Sequence, residues 1–347
     1  MPFPFEPDGG IGRRPLLALM PSALAACLAV PGQANAAAPL TLYSGQHPQM
    51  VGLLTKLFTK ETGIPVRVHS GEGPEIANQI LAEGTRSPAD VFFTENSPEL
   101  VLLDEKGLLA PVDPATVAKI PRRFSAVDGH WVGVLARESA LAYNPSLIEG
   151  SALPGSLLDL ARSQWKGKVA IAPTDADFLP LVDAVAALKG EAAALAWLKG
   201  LRRNAALYDD DEGVVAAVNR GAVATGIINS YYWGRLGTEV GFAKMKSRIH
   251  YFRPGDVGGL INVSGAAVLK SSRHPADAQH FLAFLVSRPA QKMLARSDID
   301  FEYPLARGVA ANPALKPFSE LDPPNISVAA LGDDRLAARL LREAGLI

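Results

Sequence analysis

Short apolar runs rich in β-branched residues alternate with amphipathic segments from about residue 39 onward. LTLYSG at 40–45 predicts a strand, and apolar residues recur at helical spacing through MVGLLTKLFTKETG at 50–63, where the final glycine favours a helix end. The same order continues with the strand PVRVHS, the helix PEIANQILAEG and the strand ADVFFTE. This strand and helix order predicts a parallel sheet with helical crossovers.

A second set of alternating elements begins beyond about residue 137. We expect strands at KVAIAP, ATGIIN and GAAVL, and helices at LVDAVAALKG, EAAALAWLKGL, PADAQHFLAFLVS and RLAARLLREAG. No repeat, low-complexity tract or linker rich in Gly, Ser or Pro separates the two sets. The pattern therefore predicts two α/β units that pack closely.

The bulk composition is that of a globular protein. The chain has 347 residues, of which 48% are hydrophobic and 20% charged, so it is long enough for two domains. Its formal net charge is −1. The sequence therefore gives no support to nucleic-acid binding, for which a basic patch is expected.

The first 36 residues have the features of a secretory signal peptide. Arg13 and Arg14 precede an apolar stretch that ends in GQANA, and we expect cleavage after Ala36 and a periplasmic mature protein. Pro21 interrupts the apolar stretch, which is shorter than the ~20 residues of a spanning helix. Twin-arginine export is one open possibility. Because LAAC at 24–27 resembles a lipobox, a lipoprotein anchored at Cys27 is the alternative.

Cys27 is the only cysteine, so a form cleaved after Ala36 has no thiol and no disulfide. Any metal site in that form must use oxygen and nitrogen ligands, which excludes thiolate zinc and iron–sulfur centres.

Three polar clusters follow predicted strands. His47 comes just after LTLYSG, Glu95 closes ADVFFTE, and the pair Tyr231 and Tyr232 follows ATGIIN. Adjacent side chains on a strand point to opposite faces, but both phenols can converge if the chain turns here. Ligands of open α/β sheets bind at the carboxyl ends of strands, and we expect the three clusters to meet there.

The donor types of these clusters suit a small, highly charged cation. Phenolate, carboxylate and imidazole are hard to intermediate ligands, and a phenol ionises at neutral pH only beside strong positive charge. One carboxylate and two phenolates neutralise Fe³⁺, and a neutral histidine adds a fourth donor. Taken singly, each residue has an ordinary explanation: packing for the tyrosines, capping or solvent exposure for the histidine, and an exposed loop for the glutamate.

The sequence resembles the periplasmic ferric-ion-binding proteins of bacterial ABC importers, which are shaped like one lobe of transferrin. The resemblance extends through nearly all of the chain after residue 36, up to about residue 305. The matching stretches are LYSGQH, GTRSPADVFFTE, WKGKVAIAPT, GEAAALAWLKGLR, INSYYW, VSGAAVLKSS and EYPL. The resemblance implies that four residues bind the metal: His47, Glu95, Tyr231 and Tyr232.

The implied fold is a type II periplasmic binding protein. Two α/β lobes are joined by crossing hinge strands near residues 137 and 262, and the metal site lies in the cleft. We expect residues 1–36 to be the signal peptide. Lobe 1 is expected at 38–137 and 262–312, and lobe 2 at 138–261 and 313–347. The implied function is the capture of Fe³⁺ by a monomeric protein, not an enzyme, which delivers it to the membrane permease of an ABC importer.

Relatives often hold a phosphate or carbonate beside the metal. The resemblance assigns the anion-binding positions to Asn96, Asn229, Asp175 and Asp211. Because two of these are carboxylates, we expect iron to bind with water or with an anion other than phosphate. The alternative is that Asp175 and Asp177 cap a helix that begins near Phe178, while Asp209 to Asp211 cap the next helix.

Two other functions remain alternatives. A protein that binds an oxyanion or a small organic ligand on the same fold would need Arg or Lys in the cleft, and none stands out at the strand ends. A secreted iron enzyme is the second alternative, but four protein ligands and hinge closure argue against it.

Overall fold

The computed structural model describes residues 38–299 and 301–347. The expected signal peptide, its cleavage site and Cys27 lie outside the described residues. Within the described part of the chain, no helix has both the length and the apolar character needed to cross a membrane.

Eleven strands and eleven α-helices are formed by the described residues. The strands are β1 (Leu40–Gly45), β2 (Val66–Ser70), β3 (Val91–Thr94), β4 (Leu109–Ala110), β5 (Val132–Tyr143), β6 (Val169–Ile171), β7 (Ala205–Leu207), β8 (Thr225–Asn229), β9 (Arg248–His250), β10 (Ile261–Leu269) and β11 (Tyr303–Pro304). The helices are α1 (Pro48–Thr62), α2 (Gly73–Glu83), α3 (Ser97–Glu105), α4 (Pro114–Val117), α5 (Phe178–Lys189), α6 (Glu191–Asn204), α7 (Asp211–Arg220), α8 (Ser230–Val240), α9 (Pro275–Leu285), α10 (Arg288–Arg296) and α11 (Arg335–Ala344).

Helix α1 shows how local sequence sets these bounds. Pro48 occupies the first turn, where its missing N–H has no cost, and Gly63 ends the helix in a left-handed conformation with φ 75°. The residues buried between these ends include Met50, Leu54 and Phe58, which lie at helical spacing and face the core.

Two groups of parallel strands lie on either side of an antiparallel centre. The strand order is β2-β1-β3-β10-β5-β8-β6-β7. Strand β1 pairs parallel with β2 and β3, and β6 pairs parallel with β7 and β8. The parallel pairing predicted from the sequence is therefore confirmed in the first group, and the second group is parallel as well. In contrast, β10 and β5 run antiparallel to their neighbours, so the complete sheet is mixed.

Strand β5 belongs to both groups. Its first part pairs with β10, where Arg137 lies opposite Asn262. Its last part pairs with β8, where Ser139 lies opposite Asn229. The chain thus passes from one sheet to the other between residues 138 and 139, as a hinge strand of a two-lobed binding protein must.

The described residues form two apolar clusters, and the larger one extends across the crossing to Val214 and Val218 of α7. One core contains Phe58, Phe92 and Phe281. The other contains Trp165, Trp197 and Leu340, the last from the C-terminal helix α11. The passage of β5 between two sheets agrees with a fold of two α/β lobes, while the residue bounds expected for each lobe remain a prediction.

Candidate metal centre

The sequence places all four candidate ligands where a strand ends and a helix begins. His47 is the N-cap residue of α1, two residues after the end of β1, and its side chain makes no capping bond. Glu95 lies between β3 and Asn96, the N-cap residue of α3. Tyr231 and Tyr232 occupy the first turn of α8, directly after β8. Because the chain turns into a helix here, the two phenols no longer point to opposite faces.

The structure brings these residues together. His47 Nε2 lies 3.0 Å from Glu95 Oε1 and 3.1 Å from the Tyr231 hydroxyl. The rings of Tyr231 and Tyr232 are 4.0 Å apart, centroid to centroid. Tyr232 also lines the same cavity as His47 and Glu95. Ligands about 2.0–2.1 Å from a small octahedral cation lie about 2.9 Å from one another, so the measured donor separations suit such an ion.

Burial favours the uncharged forms of the four candidate ligands. Burial, with nearby Glu95, raises the pKa of Tyr231 well above its usual range, and burial with nearby Asp177 does the same for Tyr232 and Glu95. Burial, with the neighbouring Arg235, lowers the pKa of His47 to about 4. The imidazole is therefore neutral at neutral pH, and Nε2 can accept a hydrogen bond or bind a metal. A cation that displaces the phenol protons would supply the charge that stabilises the phenolates.

A buried arginine that the sequence analysis missed lies behind the site. The side chain of Arg137 on β5 is fully buried, and Nη1 donates to the carbonyl oxygen of Glu95 at 2.6 Å and to Glu302 Oε1 at 3.0 Å. Nη2 donates to Asn96 Oδ1 and to Asp177 Oδ1, each at 2.6 Å. These bonds fix the backbone at Glu95 and join β5 to the start of α5.

A second arginine lies at the site. Arg235 Nη1 is 3.4 Å from His47 Nε2, and its Nη2 is 2.8 Å from Glu212 Oε1. Its guanidinium also lies over the ring of Tyr232. Neither arginine lies at the carboxyl end of a strand, where no Arg or Lys was expected to stand out, because Arg137 lies within β5 and Arg235 within α8. The sequence signal for Arg137 was its charge within an apolar run.

The four candidate anion-binding residues fall into two places. Asn96 and Asp175 line the same cavity as His47. Asp211 and Asn229 instead line a separate void of about 10 Å³, which is about the least that holds one water molecule. The structure thus brings two of these four residues to the metal donors and leaves the other two behind them.

Backbone amides near the site are already bonded to carboxylates of the chain. Asp175 Oδ1 accepts from the amide of Asp177, and its Oδ2 accepts from the amide of Asp211, each at 2.9 Å. Asp211 Oδ2 accepts from the amide of Asn229, also at 2.9 Å. Burial, with nearby Asp177, raises the pKa of Asp175 to about 7, and burial with nearby Asp175 raises that of Asp211.

The capping alternative is correct in one place and wrong in another. Asp210 caps α7, because its Oδ1 accepts from the amide of Gly213 at 2.6 Å. Asp177 holds the N-cap position of α5, but its side chain makes no capping bond. That carboxylate pairs with Arg137 instead, because a buried guanidinium is the stronger partner.

The comparisons with known proteins identify the family of the chain. The family described as bacterial extracellular solute-binding protein matches residues 44–292. The Fe(3+)-binding periplasmic protein of Serratia marcescens is 40% identical over 314 residues, which cover 90% of this chain and 92% of the relative. The major ferric iron-binding protein of Neisseria meningitidis is 37% identical over 313 residues, with coverages of 90% and 94%.

The fold is also that of a solved iron complex. The crystal structure of iron-bound HitA from Pseudomonas aeruginosa superposes with a TM-score of 0.85 at 44% identity, covering 89% of this chain and 99% of HitA. The chain belongs to the family of bacterial extracellular solute-binding proteins.

Proposed function

We propose that this protein captures ferric iron in the periplasm and delivers it to the membrane permease of an ABC-type importer. The observation that carries the proposal is the convergence of His47 Nε2, Glu95 Oε1 and the Tyr231 hydroxyl within 3.1 Å, with the Tyr232 ring alongside. Relatives named for ferric-iron binding that match about 90% of the chain support the same cargo.

In this proposal the four ligands come from both sides of the crossing strand. His47 and Glu95 follow β1 and β3, while Tyr231 and Tyr232 follow β8 in the other sheet. Metal binding therefore bridges the two lobes, and the cation favours the closed form because only that form completes the coordination shell. Two positions of an octahedral ion remain for water or a small anion.

The carboxylates beside the site favour water over phosphate. The carboxylate of Asp175 accepts hydrogen bonds from the amides of Asp177 and Asp211, and that of Asp211 accepts one from the amide of Asn229. These amides are therefore not available to an added anion. Iron therefore binds here without phosphate.

The arginines do not favour the oxyanion alternative. The two terminal nitrogens of Arg137 are bonded to Asp177, Glu302 and the segment after β3. Arg235 pairs with Glu212. Neither guanidinium therefore has its pair of terminal nitrogens available to bind an oxyanion. Catalysis needs an accessible coordination position and a general base, and four protein ligands within a closing cleft suit transport better.

The test is iron capture by the metal-stripped protein. The protein is mixed with ferric acetohydroxamate and freed of small molecules by gel filtration, and the protein fraction is analysed for iron and for its visible spectrum. We expect one iron per chain and a phenolate-to-iron absorption band. A protein fraction that retains neither iron nor colour would overturn the proposal.

The export route and assembly complete the proposal. Residues 1–36 direct the chain to the periplasm, with release after Ala36, and the mature protein acts as a monomer. Mass spectrometry of the purified periplasmic protein distinguishes a start at Ala37 from an acylated start at Cys27.

A further inference from the structure

The space beside the metal donors is far larger than a bare ion requires. The cavity that His47, Glu95 and Tyr232 line has a volume of about 730 Å³. A water molecule takes roughly 30 Å³ of liquid, so the cavity can admit an ion with its own small ligands. What those ligands can be depends on the charge of the lining.

The lining is strongly acidic. Eight carboxylate residues contribute to it, and no lysine or arginine is among its described lining residues. The eight are Glu72, Glu75, Glu95, Glu99, Asp175, Asp209, Asp210 and Glu212.

Exposed acidic residues lie on both sides of the opening. Glu72 and Glu75, at the start of α2, form what we call the first acidic lip. Asp209, Asp210 and Glu212, at the start of α7, form the second acidic lip. Helix α2, which begins at the first acidic lip, packs on β1. Helix α7, which begins at the second acidic lip, packs on β8. The lips therefore belong to opposite sides of the cleft.

Few of these charges are neutralised within the protein. Glu212 pairs with Arg235 at 2.8 Å, and Asp210 caps α7. Among the described residues, Glu72, Glu75 and Asp209 make no ion pair with a lysine or arginine. Three exposed negative charges thus remain beside the opening.

We infer that the acidic lips select the ferric species that enters: cationic or neutral complexes, such as aqua, hydroxo or small hydroxamate complexes, over anionic polycarboxylate chelates. The inference rests on the proposed function and specifies its substrate class. A cleft lined by one sign of charge concentrates ions of opposite sign and changes association rates by ~10–10³. The facing lips also repel each other, so a positive cargo between them assists closure.

The test compares two iron donors on matched variants. The lip variant carries Glu72→Gln, Glu75→Gln and Asp209→Asn. The control variant carries Glu61→Gln, Glu149→Gln and Glu320→Gln, which remove three exposed charges at positions outside the cavity lining. Ferric acetohydroxamate supplies neutral and cationic complexes, and ferric citrate supplies anionic ones. Quenching of tryptophan fluorescence in the metal-stripped protein measures the second-order rate of capture.

At low ionic strength, we expect the lip variant to capture iron from acetohydroxamate about tenfold more slowly than the wild type, and from citrate faster. The control variant should match the wild type within about twofold, and salt should reduce the difference because it screens exposed charge. Equal effects on both donors, or retention of radiolabelled citrate with the iron, would overturn the inference. Failure of the wild type to capture iron from either donor would overturn the proposed function instead.

Discussion

Arg137 and Asp177 form an ion pair out of water at the place where β5 crosses between the two sheets. Nη2 of the arginine lies 2.6 Å from Oδ1 of the aspartate, and their side chains are 0% and 2% exposed. Such a pair contributes little net stability when complete, because desolvation offsets the attraction. Removing only one partner of the pair is costly, because the charge of the other partner then stays buried without compensation.

Replacing Arg137 should therefore destabilise the protein strongly. Arg137→Met leaves Asp177 and Glu302 buried beside an apolar side chain, and we expect the free energy of unfolding to fall by about 3–5 kcal/mol. Arg137→Lys keeps the charge but loses the forked geometry, so its loss should be smaller. Denaturant unfolding of the metal-stripped protein measures both, with the exposed Arg122→Met as control. Equal stability of Arg137→Met and the control would contradict the argument.

Each site tyrosine should contribute separately to iron binding. Tyr231→Phe and Tyr232→Phe each remove one oxygen donor while keeping the buried ring, so the fold should persist. We expect iron affinity to fall by at least ~10–100-fold, the range seen when even outer partners of metal ligands are removed. The visible band should also weaken or shift. Tyr251→Phe, which lies outside the cavity lining, is the control, and unchanged colour in both site variants would refute the ligand assignment.

Iron retention should not depend on phosphate. The carboxylates of Asp175 and Asp211 already occupy the backbone amides of Asp177, Asp211 and Asn229. We expect a competing chelator to remove iron at the same rate with and without phosphate. Asp175→Asn reduces the local negative charge and should introduce some phosphate dependence. Slower iron loss from the wild type in phosphate would contradict this prediction.

Iron should also compact the molecule. His47 and Tyr231 meet at 3.1 Å although they follow strands in different sheets, so their contact requires a closed cleft. We expect the radius of gyration from solution scattering to fall when iron is added to the stripped protein. His47→Ala should bind iron with less compaction, because one ligand from the first lobe is lost. An unchanged radius in the wild type would argue against hinge closure.

The sequence was sufficient for the elements and for the meeting of the four candidate ligands. His47, Glu95 and the tyrosine pair each follow a strand, and strand ends converge in folds of this class. The sequence pattern could locate them because each lies where the alternating pattern of a strand changes to the repeat of a helix.

The buried hydrogen bonds of Arg137 behind those ligands could not be predicted in the same way. Arg137 contacts Asp177 and Glu302, which are 40 and 165 positions away in the chain. Such contacts depend on how the sheets pack, and no periodicity within a single element encodes them. Asp177 illustrates the difficulty: it precedes a helix, as a cap does, yet tertiary packing gives its carboxylate a buried arginine.

Glu138, which lies on the crossing strand β5, should make the stability of the protein depend on pH. It is 4% exposed, and burial raises its pKa to about 8. An acid whose pKa is higher in the folded state holds its proton there while the unfolded chain has lost it. Its contribution to stability is therefore complete below the unfolded value of about 4.5 and declines as pH rises toward 8.

Glu138→Gln should remove this decline, because the amide keeps the shape of the side chain and does not ionise. We expect the wild type to lose up to about 3 kcal/mol more stability than the variant between pH 5 and pH 8. Thermal or denaturant unfolding of the metal-stripped protein measures this difference, since bound iron would itself stabilise the folded state. The exposed Glu149→Gln should follow the wild type at every pH. Parallel stability curves for Glu138→Gln and the wild type would show that Glu138 ionises freely in the folded protein.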